Sequence, residues 1–203
     1  MTSPRSTPRF VRSLGVAALA AAAVLPACAG ASMQRVDPRA DDDVGGTLID
    51  SADVIAATDA AVEDLAAVLL QSERGDMKVA FATIKNESSQ PFNTALLSDR
   101  MRNSLVRRTS PRVKYLAREH IDEILREREG KRGGVYAAGE QKSLLGADYL
   151  LTGRINSLSK RYEGDRADYF QLNFQLVDAE DSTILWTDAY EFKKVGDAGV
   201  IYQ

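Results

Sequence analysis

The chain has 203 residues, of which 27% are charged, and a formal net charge of −3 at pH 7. A mildly acidic chain lacks the positive balance that nucleic-acid binding requires, so we expect no nucleic-acid partner. It contains one cysteine and one histidine, which excludes internal disulfides and multi-histidine metal sites. We therefore expect no metal and no cofactor.

The N-terminus carries the features of an export signal. The first 36 residues contain no Asp or Glu, and Arg5, Arg9 and Arg12 precede an apolar run of 12 residues, 14–25. A membrane-spanning helix needs about 20 residues, whereas a positive end followed by a short apolar run is typical of a signal peptide. We predict that residues 1–27 are such a peptide.

The end of the signal contains the single cysteine. Leu25-Pro26-Ala27-Cys28 resembles the bacterial lipobox, in which the cysteine accepts diacylglycerol before cleavage. Several acyl chains anchor a protein stably. By the sorting pattern of such lipoproteins, Ala29 in place of Asp directly after the cysteine favours the outer membrane, on its periplasmic side. We predict lipidation of Cys28. The alternatives are an ordinary signal peptide with an incidental cysteine and a cytoplasmic protein with an apolar N-terminal tail.

Residues 28–50 are predicted to form a flexible tether. This stretch has little apolar periodicity and includes three consecutive acidic residues, 41–43, followed by Gly45 and Gly46, a composition typical of solvated chain. The 22 residues that follow Cys28 would have an r.m.s. span of about 25 Å, with a limit of roughly 75 Å.

Residues 51–203 are predicted to form one globular domain. Apolar residues recur at helical spacing between Val54 and Leu69, which predicts an amphipathic helix that packs on the domain, capped by Asp50 or Ser51. Residues 77–85 predict a strand. Residues 93–108 predict a second helix with a core stripe of Leu97, Met101 and Leu105.

The next segments predict a parallel unit. Residues 112–116 read as a strand and residues 117–129 as a helix ended by Gly130, so the strand–helix–strand order implies a right-handed crossover. A short helix is expected near residues 139–145. The strand over residues 146–153 contains Leu150 and Leu151, which predicts burial on both faces.

The C-terminal part predicts an antiparallel meander. Residues 168–177 alternate between apolar and polar side chains, as in a half-buried strand. Residues 178–182 form a turn, and residues 183–192 return as a strand. The predicted fold class is α/β (α+β): a mixed sheet with one parallel strand–helix–strand unit, a C-terminal antiparallel meander, and helices packed on the sheet.

No segment predicts a catalytic site. There is no nucleophile elbow and no Walker-type phosphate loop. The glycine-rich stretch 130–134 is read as a flexible connection. His120 is expected at the surface or at a helix cap, and Trp186 in the core or at the sheet edge. We therefore expect a binding protein and no enzyme, although a single sequence leaves paired catalytic carboxylates open.

Residues 98–132 stand out by charge. They contain 11 Lys or Arg and 6 Asp or Glu within an acidic protein. One interpretation is a solvated face with intrahelical pairs such as Asp122 with Arg126 and Glu127 with Lys131. The other is a docking surface for an acidic partner, to which Arg107 and Arg108 would contribute.

Four segments carry a resemblance to a known family. They read MKVAFATIKNESSQPFNT, LAREHIDEILRE, LLGADYLLTGRINSL and QLNFQLVDAEDSTILWTDAYEFKK. Together they resemble the LpoB family of penicillin-binding protein activators, from about Met77 to Lys194. The resemblance implies a fold like the N-terminal domain of TolB, which is also related to the curli-secretion lipoprotein CsgG.

The resemblance also implies a function. Members of the family are outer-membrane lipoproteins that bind a bifunctional class A penicillin-binding protein and stimulate peptidoglycan synthesis without doing chemistry themselves. A monomer is expected. No partner-binding residue can be matched, so the interface stays unknown. The alternative is a CsgG-like secretion-associated or structural envelope lipoprotein, in which a large ring would replace the monomer.

Overall fold

The structure, a computed structural model, describes residues 33, 35–41, 46–140 and 142–197. The chain divides into two compact units, residues 1–35 and residues 36–203. All the elements of regular structure described below lie in the second unit. Because that unit contains its own hydrophobic core, we expect it to fold without the first 35 residues.

The second unit is a mixed α and β domain. Its elements are α1 (Ser51–Gln71), β1 (Met77–Asn86), α2 (Ala95–Thr109), β2 (Val113–Leu116), α3 (Ile121–Arg132), β3 (Tyr149–Tyr162), β4 (Asp165–Asp178) and β5 (Ile184–Asp197). The sheet order is β2-β1-β3-β4-β5. Strand β1 runs parallel to β2 and β3, and β3, β4 and β5 are antiparallel. The predicted mixed sheet and C-terminal meander are confirmed.

Helices α1 and α2 bury their apolar stripes together with one face of the sheet. Leu97, Met101 and Leu105 of α2 are fully buried, as predicted, and so are Phe170 and Leu172 of β4. Each buried apolar side chain of this size contributes roughly 1.5–3 kcal/mol. The periodicity of apolar residues in α2 and β4 therefore predicts their buried faces correctly.

Helix α1 is fixed at its start and near its end. Asp50 is the N-cap and forms a capping box with Asp53, which satisfies two backbone N–H groups. Further along, the Nε1 of Trp186 donates a hydrogen bond to Asp64, 2.6 Å away. Trp186 is only 6% exposed, so the prediction of a core or sheet-edge position for it is confirmed.

Two local predictions are wrong. The described residues of the stretch 139–145 are not helical, because the loop is held instead by guanidinium bonds from Arg118 and Arg128 to its carbonyls. Leu150 is 37% exposed whereas Leu151 is 2% exposed. The strand is thus buried only on the face of Leu151, because α1 and α2 cover that face of the sheet and leave the face of Leu150 uncovered.

The C-terminal strands are longer than the sequence predicted. β3 and β4 each have 14 residues and meet at a tight turn. Glu163 and Gly164 in this turn both have positive φ, 47° and 95°, the geometry of the two-residue hairpin turn that suits twisted strands. β1 ends at Asn86, which pairs with Ile155, so the distal part of β3 extends beyond β1.

The residues just before α1 pack on the sheet. We call residues 46–50 the strap. Thr47 is 3% exposed, and its hydroxyl donates to the carboxylate of Asp168, 2.5 Å away. Gln90 bonds the strap twice, accepting from the N–H of Ile49 and donating to the carbonyl of Thr47. The strap therefore joins three distant parts of the chain.

Asp168 is the centre of this arrangement. It is fully buried, and the Nε of Arg166 lies 2.7 Å from its Oδ2. Burial alone would raise its pKa, but hydrogen bonds from Ser159, Thr47 and Arg166 outweigh burial and lower the pKa below the ordinary 3.8. The carboxylate is therefore held ionised inside the fold.

Residues ahead of the strap also contact the domain. Ser51 donates to the carbonyl of Pro38, 2.8 Å away, and Arg39 lies 3.1 Å from the carboxylate of Asp59. Parts of the segment predicted as tether are thus in contact with α1. The boundary of the tether stays a prediction, but these contacts leave less chain free than the sequence suggested.

A chain that starts at Ser51 should be less stable than one that starts at Val36. It lacks the helix cap and the hydroxyl bonded to Asp168, so we expect a loss of at least about 2 kcal/mol. Urea denaturation measures this difference. A chain that starts at Gly46 is the control and should keep most of the stability; equal stability of all three would contradict the role of the strap.

Acid should destabilise residues 36–203 through Asp168. Because its folded pKa lies below the unfolded value, its contribution is present above about pH 4 and is lost as pH falls through the folded pKa. Asp168→Asn should cost about 3 kcal/mol or more at pH 7 and flatten this acid limb. Denaturation from pH 7 to pH 2.5 tests it, with exposed Asp122→Asn as control; parallel profiles for wild type and Asp168→Asn would refute it.

Candidate partner-binding surface

The basic surplus of residues 98–132 is centred on α2 and α3. α2 alone carries four arginines, at positions 100, 102, 107 and 108. The structure divides these arginines into two pairs with different surroundings. The division decides which charges are available to a partner.

Arg100 and Arg102 are engaged within the domain. Arg100 donates to the hydroxyl of Thr58 and pairs with Asp59, both at 2.7 Å, which links α2 to α1. Arg102 pairs with Glu119 at 2.8 Å, and its guanidinium carbon lies 4.9 Å from the centre of the Phe81 ring. These two charges stabilise the contact between elements.

Arg107 and Arg108 are differently placed. Both are exposed, in the last turn of α2, where positive charge complements the helix dipole. Within residues 35–41, 46–140 and 142–197 neither forms a salt bridge, although Arg107 donates to the hydroxyl of Ser104 at 3.3 Å. Of the four arginines of α2, these are the two whose charge faces solvent.

A groove lies beside Arg107 between α1 and α2. Its volume is about 440 Å³, and Val54, Ile55 and Leu96 give it an apolar floor. Leu96 is 56% exposed. Arg100, Asn103, Ser104 and Arg107 add polar groups to its lining. An apolar centre with a polar rim is the composition of a protein-binding site. We call Arg107, Arg108 and this groove the α2 surface.

Helix α3 fits the interpretation of the charge surplus as a solvated face with intrahelical ion pairs. Lys131 pairs with Glu127 at 3.2 Å, as predicted. Arg126 pairs with Glu123 at 3.5 Å and reaches only the backbone carbonyl of Asp122. The predicted Asp122–Arg126 ion pair is therefore replaced by a neighbouring one, and these side chains form a solvated, internally paired face.

The remaining predicted residues can be located in part. His120 is exposed and precedes α3, where its side chain forms no capping hydrogen bond. Cys28 and the signal peptide lie outside the described residues. Within the described part of the chain, no His, Cys, Asp and Glu cluster could hold a metal ion, and no helix is long and apolar enough to cross a membrane.

The groove floor escaped the sequence analysis. Leu96 lies outside the core stripe of α2 and Ile55 lies next to the buried Val54 in α1, and nothing in the spacing of either residue predicts that the two would line one groove. Only the mutual packing of α1 and α2 leaves them partly open. Their position beside Arg107 was therefore not predictable from one sequence.

Comparison with known families decides the relationship. The family described as peptidoglycan-synthase activator LpoB matches residues 53–192, well over half of the chain. The chain belongs to the LpoB family. Its members are known as activators of penicillin-binding proteins, are regulatory and not catalytic, and are envelope lipoproteins.

Solved structures with similarity to the chain include other members. The LpoB C-terminal domain from Salmonella enterica is 12% identical, with 66% of this chain and 97% of that chain covered and a TM-score of 0.40. The NMR structure of Escherichia coli LpoB is 13% identical, with 97% and 88% covered and a TM-score of 0.41.

A similarity with a lower TM-score is to a dodecameric protein. The PelC dodecamer from Paraburkholderia phytofirmans is 17% identical, with 60% of this chain and 73% of that chain covered and a TM-score of 0.28. These structural similarities are too weak to carry an argument about partners. No curated protein matches the chain.

Proposed function

We propose that this protein is an outer-membrane lipoprotein that binds and activates a bifunctional class A penicillin-binding protein. The observation that supports the proposal is the LpoB family match over residues 53–192, which extends from the first turn of α1 into β5. The lipobox-like sequence before Cys28 supports anchoring on the periplasmic side.

The α2 surface supplies two kinds of interaction for a synthase. Arg107 and Arg108 attract an acidic patch and accelerate encounter. The apolar floor formed by Ile55 and Leu96 takes an aromatic or aliphatic side chain, which is where binding energy concentrates. The partner would therefore present carboxylates around one apolar anchor.

Activation in this scheme needs no chemistry from the activator. A bound domain stabilises whichever conformation of the synthase it binds more tightly. If that conformation is the active one, the rate of glycan polymerisation rises with occupancy. A tenfold shift in the synthase population requires about 1.4 kcal/mol of differential binding.

The secretion-associated alternative differs in assembly. CsgG-like proteins act as large rings, whereas an activator of one synthase acts as a single domain. Sedimentation of residues 36–203 separates the two. A monomer favours the activator, and a ring of many copies favours the alternative.

Charge reversal on the α2 surface should weaken stimulation of the synthase. For Arg107→Glu/Arg108→Glu we expect the concentration that gives half-maximal glycan polymerisation to rise at least about tenfold, because two attractive charges become repulsive. The assay adds residues 36–203 to a purified class A penicillin-binding protein and measures glycan strand synthesis.

The control carries the same charge change elsewhere. Arg132→Glu/Lys142→Glu lies at the α3 side of the domain and should leave stimulation unchanged. Equal loss in both double variants would show a general electrostatic effect and would contradict a defined α2 surface. An undiminished response of the α2 variant would remove that surface from the proposal.

Removal of the lipidation site should release the protein from membranes. Cys28→Ala, expressed behind a signal peptide that is cleaved without lipidation, cannot accept diacylglycerol, so we expect it in the soluble periplasmic fraction, whereas the wild-type chain sediments with the outer membrane. Fractionation with immunodetection measures the distribution. Continued sedimentation of Cys28→Ala with membranes would show that another feature provides the anchor.

A further inference from the structure

Helix α3 is unusual in this fold because it buries none of its twelve residues. Its apolar side chains, Ile121, Ile124 and Leu125, are only partly covered, and Leu125 is 43% exposed. A helix of this length is marginal by itself in water. Its position must therefore be held by contacts with the chain that follows it.

Those contacts attach the following loop to the helix. Arg128 donates to the carbonyl of Lys142, and Arg118 to the carbonyl of Leu145, both at 2.7 Å. The ring of Tyr136 lies against Gly130, where an added Cβ would clash with the ring. This explains why Gly130, predicted to end the helix, lies inside it. The helix and loop form two fixed walls.

Between these walls lie two adjoining cavities, which we call the α3 crevice. The first has a volume of about 310 Å³ and the second about 260 Å³. Ile124, Ser143 and Leu144 line both. Each cavity is close to the lower end of the range for small-molecule sites, about 300–1,000 Å³, and together they form an elongated space.

The two cavities differ in chemistry. The second is lined mainly by apolar groups, including Leu116, Ile121 and Leu145. Four cations, Arg128, Lys131, Arg132 and Lys142, and one acid, Glu140, line the first. Lys131 is neutralised by Glu127, whereas in the described part of the chain Arg132 and Lys142 form no salt bridge. Arg118 also lines the second cavity, but its guanidinium bonds to the carbonyl of Leu145. The crevice therefore carries most of its positive charge at one end and is mainly apolar at the other.

We propose that the α3 crevice binds an anionic amphiphile. Its phosphate or carboxylate head lies between Arg132 and Lys142, which are donors suited to such groups. Its alkyl chain follows Ile124 and Leu144 toward the second cavity. Leu144 and Leu145 are 44% and 47% exposed, and the chain would cover them. A small molecule fits because the space is concave and narrow, where a protein segment would need a broader surface.

This site is separate from the α2 surface. Arg107 and Arg108 line neither cavity, and Arg132 and Lys142 do not line the groove between α1 and α2. The two surfaces can therefore be tested independently. Binding of the amphiphile requires no synthase, so its failure would leave the proposed activation of a synthase untouched.

Titration of residues 36–203 with decyl phosphate, below its micelle concentration, tests the proposal. Amide chemical shifts should change saturably around Ile124 and Leu144. Inorganic phosphate supplies the anionic head without the chain, and decyl maltoside supplies the same chain on an uncharged head. Each should bind at least tenfold more weakly than decyl phosphate. Equal binding of decyl maltoside would overturn the role of the cations, and the absence of saturable binding would overturn the site.

Matched variants locate the binding. Arg132→Glu/Lys142→Glu should weaken decyl phosphate binding at least tenfold, and Arg107→Glu/Arg108→Glu should change it less than twofold. Ala138→Trp, at an exposed position that lines the first cavity, should obstruct the place of the anionic head and weaken binding while circular dichroism stays native. Wild-type affinity for decyl phosphate in both folded crevice variants, Arg132→Glu/Lys142→Glu and Ala138→Trp, would place the ligand elsewhere and overturn the proposal.

Two further arms identify the source of the ligand and exclude a protein segment. Phosphatidylglycerol vesicles that bind residues 36–203 but not Arg132→Glu/Lys142→Glu would identify a membrane lipid as the source. Binding of decyl phosphate without vesicle binding would identify a free amphiphile. Tighter binding of an acidic amphipathic peptide at the same amides would overturn the amphiphile in favour of a protein ligand.

Discussion

A buried negative charge constrains the architecture of this domain. Asp168 carries a carboxylate with no exposed surface, and such a charge is tolerated only if it is paired and hydrogen-bonded. Arg166, Thr47 and Gln90 approach its Oδ2 from β4, from the strap and from the loop after β1. The start of α1 and the distal part of the meander are thus fixed by one electrostatic requirement that apolar packing alone would not impose.

The positive charges serve three different purposes, which composition alone does not distinguish. Arg100 and Arg102 join secondary-structure elements, and the outward charges at the end of α2 remain for a partner. The cations around α3 surround a cavity whose interior is apolar. The same local surplus therefore stabilises contacts within the domain, and in the two proposals it would also serve a macromolecular contact and a small-molecule site, according to whether a carboxylate, solvent or a cavity lies opposite.

Periodic features of this fold could be predicted from the sequence, and contacts between distant residues could not. The apolar stripe of α2 and the apolar–polar alternation of β4 each predict which face is buried, because the apolar face of each element packs against the core. The pairing of Thr47 with Asp168 joins residues 121 positions apart and has no local signal. The predicted helix at 139–145 is not formed by the described residues of that stretch, whose backbone carbonyls instead accept hydrogen bonds from Arg118 and Arg128.

The contacts before α1 also determine how the domain would behave on a lipid anchor. Because the compact unit begins at Val36, only the seven residues 29–35 would separate it from a lipidated Cys28, a distance of about 28 Å between the two Cα atoms at full extension. Such a short connection would keep the partner-binding surface of the domain at an effective concentration of about millimolar within a thin layer next to the membrane. After dissociation, the domain would rebind the same synthase before another could replace it, but only if that synthase extends into this layer.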